Sequence, residues 1–375
     1  MISGTFYPEV NGTVIAIANL IKALKNRGHT IQLITRAMHG APSNELWEGV
    51  KVMRVGPSSS GILWRSLLMI NYFWHSVSLV KEGYDVIHAH GFYALIVAQL
   101  LGRIFRIPVV VNFHGFQRLW FKEARWRSET TFTFIYPIER FLLKKSGKVI
   151  LQSRTLMDIL KKAYNIIDKD AEIIPHPLDT TIFRFSERNT EDKYNVVFVG
   201  SLIRVHGVDL LLESAPIVLK QIPEAKFIII GGGPMKKLLE KQISRLGLSD
   251  KVYLIGRITD RYILAQAYAN SSVVVIPLRY KGYILSYVAL EAMAIGRPVI
   301  TTMSLDPELA SYGVYMVKTN FEEIAKAIIM ILQIDNREYK LISESTRKYI
   351  ELYCSQDAVA KKVETIYFRL LMKGA

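Results

Sequence analysis

Short β-branched runs alternate with amphipathic stretches along this chain, and the alternation starts twice. In the first half the runs are TIQLITR, KVMRV, DVIHAH, VVVNFH, KVILQS and EIIPHP. After the polar stretch Ser186–Tyr194 they resume as NVVFVGS, KFIIIGGGP, VYLIGRI, VVVIPL, PVITT and GVYMV. Continuous apolar strands, each followed by a helical pattern, bury both of their faces, so each half is a parallel sheet covered by helices. The chain reads as α/β, with two doubly wound Rossmann-like domains over residues 1–185 and 186–354. At 375 residues and 50% hydrophobic content it is too long for one core and too apolar to be disordered. The last helical patterns, Arg337–Tyr353 and Ser355–Lys373, add no strand, and segment 355–375 is expected to return to the first domain. Open sheets of this kind bind ligands beyond the carboxyl ends of their strands, so two such domains facing each other enclose a central cleft. Only Met1-Ile2-Ser3 precede Gly4, against about five or six residues in an ordinary strand. Either the natural chain starts upstream or a short central strand suffices.

Forty-eight Lys and Arg against 33 Asp and Glu leave a net charge of +15, which points to nucleic acid, an anionic membrane surface or phosphorylated small molecules. The surplus is local: Leu101–Ile150 holds ten basic residues against three acidic ones. Within it Arg118, Trp120, Phe121, Lys122, Arg125, Trp126 and Arg127 interleave cations with aromatics. Such a segment lies on lipid headgroups, stacks single-stranded nucleic acid, or is a solvated loop with inward tryptophans. Ile62–Val80, with Trp64, Tyr72, Phe73 and Trp74, is a second candidate for the same surface, or else a buried helix. Arg65 and His75 interrupt it before it could span a membrane. The single cysteine, Cys354, permits no intrachain disulfide and no cysteine-based zinc site. With no basic and apolar leader at the N-terminus, the expected location is cytoplasmic, soluble or peripheral.

Three stretches suggest a site in the second half. Phe198-Val-Gly200-Ser201 leads through Ile203, Arg204 and His206-Gly207 into a helix near Val208, so that backbone amides could face an anion. Gly231-Gly232-Gly233-Pro234 either lets backbone approach a ligand or is a plain turn. In Glu291-Ala-Met-Ala-Ile-Gly296-Arg-Pro298 one carboxylate stands in an otherwise apolar helical segment, unexpected for packing and suited to gripping sugar hydroxyls. His88 and His90 share one face of a strand, but no third ligand accompanies them, and no metal site is expected. Asp168-Lys-Asp170 reads as a solvated turn.

Taken together, the chain resembles the family-4 retaining glycosyltransferases of two-domain GT-B fold. Phe6-Tyr-Pro8-Glu-Val-Asn11-Gly12 is similar to the family's first Gly-rich loop, and Arg27-Gly28-His29 to the usual helix end. Phe113-His114-Gly115 is similar to its active-site histidine segment, and Ile174-Pro175-His176-Pro177-Leu178-Asp179 to its interdomain strand. Gly200 through Asp209, the triple glycine, Gly256 and Glu291–Pro298 follow in the expected order. The resemblance implies sugar transfer from a nucleotide-sugar, such as a UDP- or GDP-sugar, without metal or other cofactor. The implied acceptor is a lipid-linked or glycan molecule at the inner face of a membrane. No nucleic-acid module is present. It further implies that the departing diphosphate takes the acceptor's proton, that Glu291 grips the nucleotide ribose, and that His114 contacts the sugar near the reacting carbon. Without it, His114 reads as a satisfied core histidine.

Departures from the family pattern are equally specific. Ser201 and His206 stand where the family carries an arginine and a lysine on the donor diphosphate, and Tyr283 stands where a first carboxylate belongs. Ile284-Leu285-Ser286 replaces Gly-Phe-Gly. Arg204, Arg257, Arg279 and Lys281 are near enough in sequence to restore the charge. The expected catalytic set is His114, Glu291 and Tyr283; the expected donor set is Gly12, Ser201, Arg204, His206, Gly232, Gly233, Arg257, Leu285 and Ser286. Arg118, Trp120, Lys122, Arg125 and Trp126 are expected to meet the acceptor or the membrane. The alternative is a degenerate transferase-like protein that binds without turnover.

Overall fold

The computed structural model describes residues 1–58, 62–114, 129–164, 171–189, 193–280 and 282–374. The elements follow in chain order as β1 (Ile2–Ser3), α1 (Gly12–Asn26), β2 (Gln32–Arg36), β3 (Asn44–Trp47), β4 (Val50–Val55), α2 (Ile62–Val80), β5 (Ile87–His90), α3 (Phe92–Phe105), β6 (Val109–Asn112), α4 (Glu129–Lys145), β7 (Lys148–Leu151), α5 (Arg154–Tyr164) and β8 (Ala171–Ile173). They continue as β9 (Asn195–Val199), α6 (Val208–Gln221), β10 (Lys226–Ile230), α7 (Lys236–Arg245), β11 (Val252–Gly256), α8 (Arg261–Ala269), β12 (Val273–Ile276), α9 (Tyr287–Ile295), β13 (Val299–Thr301), β14 (Val314–Met316), α10 (Phe321–Gln333), α11 (Asn336–Tyr349) and α12 (Gln356–Gly374). Two compact units result: Met1–Pro177 with Gln356–Ala375, and Leu178–Ser355.

The first unit is built on an eight-stranded sheet in the order β3-β4-β2-β1-β5-β6-β7-β8. All neighbours are parallel except β3 with β4. Short as it is, β1 is central, pairing with β2 and β5, and the strand order reverses there. Its helix α1 begins where the Asn11 side chain accepts the Val14 amide at 3.0 Å, and ends where Gly28 and His29 amides return to Lys25 and Leu24, a glycine cap. Between these ends Ile17, Ile21 and Leu24 are buried at helical spacing. The last helix, α12, lies in this unit, where Val359, Val363, Ile366 and Tyr367 join a core cluster with Leu20, Leu24, Val110, Ile150 and Ile174. Arg27 holds it from the rim through Glu364 at 2.6 Å and Asp357 at 3.0 Å.

The second unit has six parallel strands in the order β11-β10-β9-β12-β13-β14, the doubly wound arrangement with its switch point between β9 and β12. The units divide at Pro177/Leu178, eight residues before the boundary expected from the polar stretch. The reason is local. The Leu178 amide donates to the Cys354 carbonyl at 2.7 Å, Phe183 meets the Tyr268 ring edge-on, and the fully buried Arg297 donates to the carbonyls of Ser186 at 2.7 Å and Ala269 at 2.6 Å. The helix expected through Tyr353 closes at Tyr349 and continues as one wide π turn, Ile350–Cys354.

Candidate active site

In the second unit the loops after β9, β10 and β12 meet at the switch point. Gly200 and Leu202 amides donate to Ile230 and Gly232 carbonyls at 3.0 and 2.9 Å, and the Met235 amide returns to Leu202 at 3.0 Å. A β-carbon on Gly231 would stand 1.8 Å from the Gly200 oxygen, and one on Gly233 2.5 Å from the Leu202 oxygen. Those two glycines thus serve loop against loop, whereas Gly232 is exposed with nothing nearer to such a carbon than Arg257 Cβ at 3.9 Å. The turn Arg204–His206 then delivers the chain through Gly207 into α6.

His206 Nδ1 lies 2.9 Å from the Ser201 carbonyl oxygen. A carbonyl only accepts, so Nδ1 carries a proton and Nε2 is a lone pair whenever the ring is neutral. Of the four cations expected to restore the charge, Arg279 is occupied by Asp209 at 2.6 Å, and Lys281 lies outside the described residues. The side chains of Arg204 and Arg257 make no ion pair among the described residues. Ser201 and Arg204 are exposed.

Helix α9 begins at Ser286, whose hydroxyl accepts the Ala289 amide at 3.3 Å; Leu285 is buried and Tyr283 half-buried. Glu291 departs most from expectation. It is 2% exposed, with Arg261 Nη1 3.0 Å from Oε1 and the Tyr268 hydroxyl donating to Oε2 at 2.9 Å. Both oxygens that were expected to grip sugar hydroxyls therefore face α8. Burial pushes this carboxyl upward, against the pull of Arg261 and Tyr268, and Arg261 itself lies 4.8 Å over the Phe183 ring. Arg261 and Tyr268, seven residues apart, occupy one face of α8 by helical spacing, a signal the sequence contains but that nothing tied to Glu291.

In the first unit, Gly12 opens α1 after its Asn11 cap. Four imidazoles form a row along the sheet. His88 and His90 stack at 4.6 Å between centroids and 14° between planes; His90 and His114 are near-parallel at 5.3 Å and 20°, and His114 and His176 at 5.6 Å and 18°. His88 Nδ1 is 2.6 Å from the Tyr367 hydroxyl of α12, and His90 Nδ1 is 3.0 Å from His114 Nε2. Burial lowers all four: His88 and His176 to about 3, His114 to about 4, and His90 well below the ordinary value. His88 and His90 are stacked rather than convergent, and no cluster of metal-binding type occurs among the described residues. In the sequence His88, His90 and His176 stand apart from His114; β5, β6 and β8 bring them into line.

The expected acceptor or membrane residues Arg118, Trp120, Lys122, Arg125 and Trp126 lie outside the described residues, as does Asp168-Lys-Asp170. Helix α2 divides the two readings offered for it: Tyr72 is fully buried and donates to the Ser3 carbonyl at 2.7 Å, while Trp74 is 65% exposed. Leu67, Ile70 and Trp74 on α2, Leu100 and Ile104 on α3, and Ile138 and Phe141 on α4 are all exposed. Those helices pack side by side, and exposed Arg103, Arg106, Lys144 and Lys145 accompany them. No helix among the described residues is long and apolar enough to cross a membrane.

Two family models match the chain, Glycosyltransferase Family 4 over residues 10–182 and Glycosyl transferases group 1 over residues 193–334. The chain belongs to the group 1 glycosyltransferases, with two Rossmann-like units of GT-B type, and is a glycosyltransferase. It is 27% identical to a glycosyltransferase of Methanocaldococcus jannaschii, over 98% of this chain and 97% of that one. It is 24% identical to a phosphatidylinositol N-acetylglucosaminyltransferase subunit of Homo sapiens, over 100% of this chain and 76% of the relative. Among solved structures it superposes on Anabaena HepE in complex with UDP with a TM-score of 0.74, at 17% identity and covering 98% of each chain.

Proposed function

We propose that this glycosyltransferase takes its sugar from a nucleotide-sugar, such as a UDP- or GDP-sugar, with retention at the anomeric carbon and without a metal ion. It passes the sugar to a lipid-linked or glycan acceptor at an anionic membrane surface on the cytoplasmic side. The observation that carries the donor reading is the cluster at the switch point of the second unit: Arg204 and Arg257 without ion-pair partners among the described residues, His206, and open backbone at Gly232. The group that departs from the sugar carries growing negative charge, and donors placed for that charge dominate such a reaction; losing one costs on the order of 3 kcal/mol. Because Nδ1 of His206 is held by Ser201, only its imidazolium form offers an N–H to phosphate. His114 meets the sugar. The crystallised HepE complex contains UDP, and the human relative's name specifies phosphatidylinositol. The apolar stripes of α2, α3 and α4, flanked by cations, support the membrane part.

One experiment addresses the whole reading. The full chain is incubated with UDP- and GDP-sugars, membrane lipid extract and a chelator, and the anomeric configuration of the product is read by NMR. Transfer with retention is expected; no transfer or hydrolysis with any nucleotide-sugar overturns the reading. Recovery on anionic vesicles above that on neutral ones at low salt is expected too, and equal recovery removes the membrane part.

A further inference from the structure

The row of imidazoles contains more nitrogen atoms than bonds. His88 Nε2, His90 Nε2 and His114 Nδ1 are all buried and find no partner among the described residues, although buried polar groups are nearly always paired. His88 and His90 are 2% and 3% exposed, and burial keeps every ring in the row neutral at pH 7. A neutral imidazole has one N–H and one lone pair.

The contact between His90 Nδ1 and His114 Nε2, 3.0 Å long, therefore holds a single proton and admits two arrangements. If His90 donates, its own Nε2 is a bare lone pair and His114 carries its proton on Nδ1. If His114 donates, His90 must carry a proton on the buried Nε2 and His114 Nδ1 is bare. The two outer atoms always have opposite character, so the tautomer of one ring dictates that of the other. Either arrangement leaves one buried N–H without a partner among the described residues, an uncommon state; His90 is 3% exposed and stacked on His88, whereas His114 is the partly exposed ring of the pair. The first arrangement puts the surplus donor on the less buried ring of the two.

We infer that His90 is a positioning residue: it fixes His114 as the Nδ1–H tautomer, so that His114 presents a hydrogen-bond donor to an oxygen of the bound sugar. His88 supports it. Stacked on His90 and bonded to Tyr367, it keeps the His90 ring from turning, which links the setting of His114 to a residue of α12. The role of His114 towards sugar rests on the function proposed above; the tautomer assignment does not.

Long-range proton–nitrogen correlation spectra of the ¹⁵N-labelled full chain at pH 7 read which ring nitrogen is protonated, with His114 assigned by the signals missing from His114→Gln. The expected result is Nδ1–H for His114 in the unaltered protein. In His90→Phe the His114 signals should move to Nε2–H, and in His90→Gln, whose amide still donates, they should stay as Nδ1–H. Where a nucleotide-sugar turns over, His90→Phe should lower kcat on the order of 10²-fold with little change in KM, and His90→Gln should recover most of it. A His114 already protonated on Nε2 in the unaltered protein overturns the inference with no variant needed, and so do His114 signals that ignore His90→Phe. Absence of all turnover would sink the proposed function and leave the spectra to decide this one.

Discussion

Glu291 is held at both oxygens, by Arg261 and by the Tyr268 hydroxyl. A carboxylate among Ala, Leu and Met in a helical segment was visibly out of place, and that oddity proved physical. What it meets was not legible, because Arg261 and Tyr268 come from a different helix more than twenty residues upstream, and only packing of α8 on α9 joins them. A group held this way acts first on stability. Glu291→Ala should cost about 3 kcal/mol, since it strands a partly buried guanidinium, and Tyr268→Phe about 1.5 to 3 kcal/mol for one bond to a charged acceptor. Urea unfolding checks both; an unchanged midpoint for Glu291→Ala would mean that the carboxylate is free to serve sugar hydroxyls alone. The histidine row makes a second prediction. Its folded values lie below the value near 6.5 of an unfolded chain, so below that pH the unfolded state binds more protons. Stability is full well above pH 6.5 and is lost as pH falls towards the folded values of about 4 and about 3, with a slope that steepens to about 1.4 kcal/mol per pH unit for each ring once pH is well below 6.5. Unfolding at pH 7, 6 and 5 should show that slope, and His114→Gln should reduce it by one proton.

Among elements, the parallel strands were legible because burial on both faces leaves an uninterrupted apolar run, and such runs stand out. The strand β3 escaped because NELW alternates exposed and half-buried positions at the sheet margin and owes its place to pairing with β4 through a turn in which Glu48 and Gly49 both have positive φ. Of the three consecutive glycines, the sequence could not tell a ligand's approach from a turn; the distances to Gly200 and Leu202 show that two of them make room for backbone. Helix α12 was expected to return to the first domain, and the contacts of Ile366, Val363 and Tyr367 give that expectation an energy. Ile366→Ala should destabilise the first unit by about 2 to 4 kcal/mol, seen as a lower urea midpoint in native-state exchange of β5 and β6 amides, with second-unit amides such as those of β9 unaffected.

Considered whole, the chain enters its first unit, leaves it at Pro177, completes the second unit without interruption, and re-enters at Gln356. The second unit is thus an insertion, and the two should differ when separated. A fragment of residues 178–355 should unfold cooperatively on its own, whereas residues 1–177 should not until residues 356–375 are supplied as a peptide or joined by a linker; circular dichroism melts of the three samples decide it, and a cooperative melt of 1–177 alone would contradict the packing of α12. The same connectivity has a consequence on the ribosome. Leu20, Leu24, Val110, Ile150 and Ile174 are synthesised long before the helix that covers them. At about 5–20 residues per second, the roughly 200 residues still to come leave that apolar seat uncovered for about 10 to 40 seconds in every nascent chain. Nascent chains are therefore expected to recruit chaperones that guard hydrophobic surface during translation, and a premature stop after the second unit is expected to leave the first half open.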